Sequence, residues 1–356
     1  METSVHDAQR LKELQALPLG RKVQITQTRI IEWYQHWKGK VVVSFSGGKD
    51  STVLLTIARQ LYPDIPAVFC NTGLEYPEIQ KFVRDFGNVD IITPEMRFDR
   101  VVSAYGYPLI SKEVSEAVYY ARAIRKEGEP EKFWSRKHFK EERKKTSFYP
   151  MLKWLPLASE LPALIGHKCC NYMKKYPDSK YRKQNNYKPI IGTLAEESWI
   201  RRQKWYKTGC NSFEGQKAAS KPLSFWTEQD ILQYLSDYGI KIASVYGDIV
   251  GEPGNLHCTG CTRTGCVFCG FGAHLEKGET RFQRLARTHP RQYEYCIGGG
   301  QWSDNPHYDP TAPEYDGEWK NWNPKMIWTP SKEGLGMGKL FDMVNDIYGK
   351  ELIRYK

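Results

Sequence analysis

The run Val41-Val42-Val43-Ser44-Phe45-Ser46-Gly47-Gly48-Lys49-Asp50-Ser51-Thr52 holds the first residues able to do chemistry. Three consecutive valines read as a buried strand, the glycine pair as a turn, and the residues after it as the start of a helix. Such a turn suits an anion. Glycine allows positive φ and a close backbone approach, and the amides of a helix start point at a bound anionic group. Ser46 and Ser51 add hydroxyl donors, Lys49 adds a positive charge, and Asp50 is expected to cap the helix or orient its amides. The pattern is not the Walker loop, which requires Gly-x4-Gly-Lys-Ser/Thr: Asp50 follows Gly48-Lys49, and Val43 stands where the first glycine should be.

Cysteine supplies the second constellation. The chain has nine, of which Cys258, Cys261, Cys266 and Cys269 lie close together and Cys169 and Cys170 are adjacent. In a reducing compartment such clustering points to metal or redox chemistry rather than disulfides. Two Cys-x2-Cys pairs are able to hold zinc through four thiolates, although the four-residue spacer between them is short for a zinc ribbon. Cys70, Cys210 and Cys296 are expected to fill packing space. His167 and His257 stand beside candidate ligands and are read as structural neighbours.

These residues need elements to position them. Apolar residues at helical spacing predict a helix over 22–38, and "GKVVVSFS" predicts a buried strand. A helix over "DSTVLLTIARQLYP", a strand in "IPAVFCNTG", a helix in "YPEIQKFVRDFG" and a strand in "NVDIITP" follow. "KPIIGTLAEESWIRRQKW" returns to strand, turn and helix, and Thr227 opens a helix with Glu228 and Asp230 in its first turn. Strands alternating with helices predict βαβ units on a parallel sheet. Residues 300–335 have little periodicity and are expected to be irregular, before a closing helix in "GLGMGKLFDMVNDIYGKELI".

The chain has 356 residues, 26% of them charged, with a formal net charge of +11. That balance favours anionic partners. The lysine- and arginine-rich segment in a helical insertion at about 112–150 is a candidate contact for tRNA or DNA. No apolar run reaches the ~20 residues that cross a bilayer. The charged opening residues lack the apolar core of a signal peptide, so the expected location is cytoplasmic, with no membrane partner. Divided linearly, the chain reads as a helical lead-in (1–38), an α/β domain with its insertion (39–245), a cysteine-rich segment (246–300) and a C-terminal extension (301–356).

Ser46-Gly47-Gly48-Lys49-Asp50-Ser51 resembles the PP-loop of the ATP pyrophosphatase superfamily, to which the phosphoadenylylsulfate (PAPS) reductases belong. Asn71-Thr72-Gly73 with Glu75-Tyr76-Pro77-Glu78 is similar to their nucleoside-holding segment, with Asn in place of Asp. Gly192, Glu197, Ser198 and Arg201 match their Gly-x-Arg-x-x-Gln/Glu-Ser-x-x-Arg segment, although Leu194 replaces its first Arg. Cys169-Cys170-x3-Lys174-x2-Pro177 and Cys266-x2-Cys269 resemble the two halves of the cluster motif of adenylylsulfate reductases. The resemblance runs from about residue 22 to residue 272 and implies an α/β fold: a Rossmann-like parallel sheet of the PP-loop (adenine nucleotide alpha hydrolase) type, with a helical insertion and a C-terminal cysteine-rich segment.

It further implies a nucleotide site built from Ser44, Ser46, Gly47, Gly48, Lys49, Asp50, Ser51, Asn71, Thr72, Gly73, Gly192, Glu197 and Ser198. Lys49, Asp50, Lys174 and Arg201 would act on the reacting phosphates, with Mg²⁺ accompanying ATP. A [4Fe–4S] cluster would take its ligands from Cys169, Cys170, Cys261, Cys266 and Cys269, with Cys258 the weakest candidate and zinc the alternative metal. The thioredoxin-linked members carry a catalytic cysteine in a Glu-Cys-Gly-Leu-His tail, a motif this sequence does not contain. The expectation is therefore ATP cleavage between the α and β phosphates, coupled to sulfur or nucleotidyl transfer. Reduction of adenylyl sulfate or PAPS, with Cys296 or a partner supplying the thiol, and nucleotide binding without turnover remain the alternatives. A sulfur-donor or redox partner protein and a homo-oligomeric assembly are expected.

Overall fold

The computed structural model describes residues 6–123, 153–215, 218–312 and 322–356. Most of the basic insertion, and with it the expected nucleic-acid contact, lies outside the described residues. The chain forms two compact units, one of Met1–Pro94 with Lys174–Gly265, the other of Glu95–Met173 with Cys266–Lys356. Each unit thus takes two stretches of chain, where the sequence was divided linearly. No helix among the described residues is long and apolar enough to cross a membrane.

The first unit is an α/β layer structure. Its main sheet has β1 (Val41–Ser44), β2 (Ala67–Cys70), β3 (Asp90–Ile92), β5 (Lys188–Ile191), β6 (Asn211–Ser212) and β7 (Ala219–Ser220) in the order β3-β2-β1-β5-β7-β6. All neighbours pair in parallel except β6 with β7, and β8 (Ile249–Val250) and β9 (His257–Cys258) form a separate antiparallel pair. The three valines of β1 are fully buried, as a strand covered on both faces requires. Helices Lys49–Leu61, Pro77–Phe86, Trp199–Thr208 and Glu228–Asp237 follow the strands as the hydrophobic spacing predicts. The last begins with a capping box between Thr227 and Asp230. Asp230 also receives Lys22 Nζ at 2.6 Å, which ties helix Leu19–His36 to it, and Trp226 Nε1 donates to Thr26 on that same helix at 2.9 Å.

In the second unit, β4 (Leu109–Ile110) pairs in parallel with β10 (Gly270–Phe271). The expectation of an irregular 300–335 is corrected in part: β11 (Gln301–Asp304) and β12 (Met326–Thr329) form an antiparallel pair with Trp302 opposite Trp328. Both strands are short and far apart in the chain, so neither shows enough alternation to be read. Helices Arg281–Thr288, Pro290–Ile297 and Met337–Tyr348 pack Phe282, Leu340, Phe341 and Val344 into the core.

A single buried side chain organises the approach to the adjacent cysteines. The Arg122 guanidinium donates to the carbonyls of Leu157, Ala158, Leu161 and Ala163 at 2.6–3.0 Å and lies 3.9 Å from the Trp322 ring. Guanidinium is suited to this role because its donors spread in a rigid plane. Leu161 O also accepts from Trp322 Nε1 at 3.1 Å, so removing the guanidinium leaves three buried carbonyls short of a donor, each costing about 1–3 kcal/mol. Arg122→Met is therefore expected to destabilise the second unit by at least about 3 kcal/mol in chemical denaturation. A midpoint matching the parent protein would show that water or a neighbour replaces the guanidinium.

Candidate nucleotide and cysteine sites

Parallel pairing of β1 with both β2 and β5 brings the loops after all three strands to one edge of the sheet. The chain order reverses between β1 and β5, and ligands of open α/β sheets bind in the crevice at such a point. The loop Ser46–Ser51 fills the β1 side. Gly47 has φ +70, and a Cβ there would lie 2.9 Å from methyl groups of Ile79 and Val83. Gly48 is extended instead (φ −81, ψ 160), so only the first glycine of the pair supplies positive φ. Gly48 is the N-cap, and Asp50 makes no capping hydrogen bond, which corrects the cap expected of it.

The loop is held by its own hydroxyls. Ser51 Oγ donates to Gly48 O (2.9 Å) and lies 3.0 Å from Ser46 Oγ. The amides of Ser46 and Gly48 donate to Ser51 Oγ and Ser46 Oγ. On the β5 side, a Cβ on Gly192 would sit 3.1 Å from Asp50 O, so the two loops touch backbone to backbone.

Two cavities open at this edge. One, of about 300 Å³, is lined by Ser46, Gly48, Lys49, Asp50, Ser51, Gly192, Glu197, Arg201 and, from a loop the sequence reading did not include, Thr262–Gly265. Lys49 Nζ pairs with Glu228 (2.9 Å), and Arg201 pairs with Glu197, whose carboxylate also accepts the Leu194 amide (2.9 Å). Arg263 is the third cation of the lining. Burial raises the pKa of Asp50 above the ordinary carboxylate value, against the pull of Lys49, and Glu228 adds to the rise. Burial lowers Arg201, with Asp50 opposing. Tyr246, also in the wall, is pushed up to about 12 by burial and contacts Thr264 Oγ1 at 2.5 Å.

The second cavity, about 260 Å³, is walled by Phe45, Val68, Phe69, Ile79 and Ile92 and edged by Ser44, Glu75, Lys174 and Asp178. It shares Ser46, Thr264 and Gly265 with the first. Asn71, Thr72 and Gly73 line neither cavity. They shape the turn that aims Glu75: Asn71 Oδ1 accepts from Gly73 N, while Thr72 donates through N and Oγ1 to the Glu75 carboxylate. Lys174 Nζ lies 3.5 Å from Glu75, in a π-helical turn Asn171–Lys175 that continues into helix Tyr176–Gln184. Such turns recur at functional sites. Ser198 lines neither cavity and instead caps helix Trp199–Thr208.

The cysteines divide between the units. Cys169, Cys170, Cys266 and Cys269 belong to the second, Cys258 and Cys261 to the first. In the second unit, residues 105–110 act as a template. Tyr107 exchanges backbone hydrogen bonds with Leu164 and Gly166 on the way to Cys169, while Leu109 and Ile110 pair with Gly270 and Phe271 just after Cys269. The Cys169 thiol is raised well above its ordinary pKa, first by a hydrogen bond with Cys170, then by burial and by the charges of Cys170, Cys269 and Cys266. Arg281 Nη1 donates to Cys269 O at 2.9 Å. No group of three or more His, Cys, Asp or Glu among the described residues converges as the ligands of one ion would. Cys261 is buried, with its amide on Val245 O, and Cys258 is raised mainly by burial. Cys296, proposed above as an alternative thiol, is a core residue 3.6 Å from Met337 Sδ, and burial pushes its pKa up.

Residues 40–270 match the family model described as the phosphoadenosine phosphosulfate reductase domain. An uncharacterised protein of Methanocaldococcus jannaschii is 41% identical over 80 residues, covering 21% of this chain and 17% of that protein. A second from the same organism is 38% identical over 60 residues, 16% of this chain and 15% of the relative. The matches thus span less than a fifth of the curated relatives' length. Among solved structures, the PAPS reductase of Candida auris in its phosphate complex aligns with a TM-score of 0.36 and 10% identity over 70% of this chain and 97% of that one. The FMN adenylyltransferase of Candida glabrata aligns at 0.35 and 14% over 68% of each chain.

The Asp50 shift sets a pH test. A carboxyl with a raised folded-state pKa contributes stability that is complete below the ordinary value and lost as pH rises through the raised one. Asn carries no charge at either end. Asp50→Asn is therefore expected to melt above the parent protein at about pH 7.5, with the gap closing near pH ~4. A variant that melts lower at neutral pH would mean the cations around Asp50 outweigh its burial.

Proposed function

The chain belongs to the phosphoadenosine phosphosulfate reductase domain family, and on that premise we propose that its first unit binds ATP and cleaves it between the α and β phosphates, while the second unit's cysteines hold a [4Fe–4S] cluster used in sulfur or nucleotidyl transfer. The observation that carries the nucleotide reading is the pair of adjoining cavities, one apolar and one lined by a helix start with Lys49, Arg201 and Arg263. The apolar cavity suits an adenine ring, with the Glu75 carboxylate as a hydrogen-bond acceptor at its edge. The other suits a polyphosphate, because the Asp50 and Ser51 amides at the helix N-terminus face an anion.

In the proposed reaction an acceptor nucleophile forms a bond to the α phosphorus. The bond from that phosphorus to the bridging oxygen breaks, and pyrophosphate departs with the electron pair. Lys49, Arg201 and Arg263 stabilise the charge that accumulates on the leaving group. The Tyr246 phenol, neutral at physiological pH, orients Thr264 beside it. Asp50 and Glu228 are carboxylates on the wall that would hold Mg²⁺, whose positive charge would help neutralise the phosphates. Thiolate ligation suits an iron–sulfur cluster. Cys169, Cys170, Cys266 and Cys269 are the thiols that act on one another and would hold it, and it would supply sulfur or electrons when bound. Zinc is the alternative for the same thiolates. Burial of Cys296 speaks against that residue as the thiol of a sulfonucleotide reductase.

Pyrophosphate release from Mg·ATP is the direct test, and Lys49→Ala and Arg263→Ala are each expected to slow it about 10²-fold. Sulfite released from PAPS with a dithiol, without pyrophosphate from ATP, would replace this reading with the reductive one. Separately, anaerobically purified protein should carry iron and sulfide in near-equal amounts, and Cys170→Ser and Cys266→Ser should each lose most of both. A colourless, zinc-loaded protein would sink the cluster assignment.

A further inference from the structure

Arg201 and Leu194 line a third cavity as well as the phosphate cavity. It measures about 200 Å³ and is lined also by Lys204, Lys221, Trp205 and Ser224. Its wall holds three cations and no carboxylate; Arg201 is paired with Glu197 of the phosphate cavity, while Lys204 and Lys221 are the two cations particular to this one. The helix Trp199–Thr208 supplies Arg201 and Lys204 at a spacing of three residues, which puts them on one face. Lys221 follows β7, where its own amide is fixed to Cys210 O at 2.7 Å. Trp205 is buried.

Lys221 is the informative residue. Burial lowers its pKa first, and Lys204 lowers it further. The group that opposes them, Cys210, is itself raised by burial and so is a neutral thiol at physiological pH. A half-buried ammonium beside a second ammonium is costly to keep unless an anion joins it.

We propose that this cavity is a second oxyanion site, which takes a phosphate group of the acceptor substrate and presents it across Arg201 from the nucleotide phosphates. The site itself follows from Lys204, Lys221 and the cavity; only the assignment of the anion to the acceptor rests on the nucleotide reading. Trp199 and Ile200, 70% and 60% exposed, stand just before Arg201 on the same helix, with Arg202 and Lys207 also exposed. They offer an apolar and cationic approach of the kind a phosphate-bearing substrate uses.

The probe is inorganic phosphate, titrated calorimetrically into the full-length protein at low salt after saturation with a non-hydrolysable ATP analogue. One phosphate site is expected to remain. Lys204→Met and Lys221→Met are each expected to weaken it by about tenfold or more, whereas Lys221→Arg keeps it. Lys204 lies at the surface, so its variant carries the test if Lys221→Met fails to fold. The two sources of the phosphate are told apart by a competing dinucleotide phosphodiester: displacement of inorganic phosphate identifies a polynucleotide acceptor, and no displacement identifies a small free oxyanion. Phosphate binding that vanishes when the analogue is bound, or that is untouched in both Met variants, overturns the proposal. Failure of the analogue to bind, with phosphate binding still sensitive to Lys204 and Lys221, would remove only the nucleotide reading.

Discussion

Parallel strand pairing is the constraint on which both units depend. In the first unit, Val43 lies opposite Ala67 on one side and Ile190 on the other. A parallel ladder points every strand the same way, so the loops leaving β1, β2 and β5 emerge at one edge. Residues near 48, 75 and 192 become neighbours although the chain separates them widely. β1 is buried on both faces, so its apolar run does not choose a register; the ladder does, with Val43 N donating to Pro66 O and Phe45 N to Val68 O. Gly192 then meets Asp50 backbone to backbone, a distance at which a side chain would not fit comfortably.

The second unit uses the same device at smaller scale. Residues 105–110 accept Leu164–Gly166 on one side and Gly270–Phe271 on the other. Gly166 is required there, because a Cβ would fall 1.6 Å from Tyr105 O. Two cysteine pairs nearly a hundred residues apart are thereby directed toward one another by backbone hydrogen bonds. Arg122 fixes the stretch that leads to Cys169 from beneath, through four carbonyls. The thiol group is positioned by elements whose own stability comes from elsewhere.

Legibility in the sequence followed the range of the interaction. β1, the helix starts at Lys49, Pro77 and Glu228, and the family signature were readable because short apolar runs, caps and glycine turns are local. Asn71, Thr72 and Gly73 carry the nucleoside-segment signature, and what their types did not tell is the local job the structure shows, the turn that aims Glu75. Arg263, Thr264 and Tyr246 went unread, since their loops have no periodicity and reach the site only through tertiary folding. The adjacent run "TGCTRTGC" drew attention to its cysteines and away from the arginine between them. The same limit hid the pairing of β11 with β12 and the division of the six clustered cysteines between units.

The phosphate cavity is charge-balanced before any anion arrives, and that balance shapes what it can accept. Lys49 is held by Glu228 and Arg201 by Glu197, so both cations are oriented but occupied. An entering anion must compete with carboxylates already in place. A singly charged ion gains little by that exchange, because it releases a carboxylate whose new environment is less favourable. A polyphosphate with a divalent cation faces a different sum: its phosphates take Lys49, Arg201 and Arg263, while the cation takes the carboxylates set free. Asp50, which burial already disfavours as an anion, gains most from such a cation. On the proposed ATP reading, this arrangement favours metal and polyphosphate entering together over a lone anion. In the neighbouring cavity Lys204 and Lys221 are lysines with no carboxylate in the lining, so the oxyanion proposed there meets less competition than one at the PP-loop.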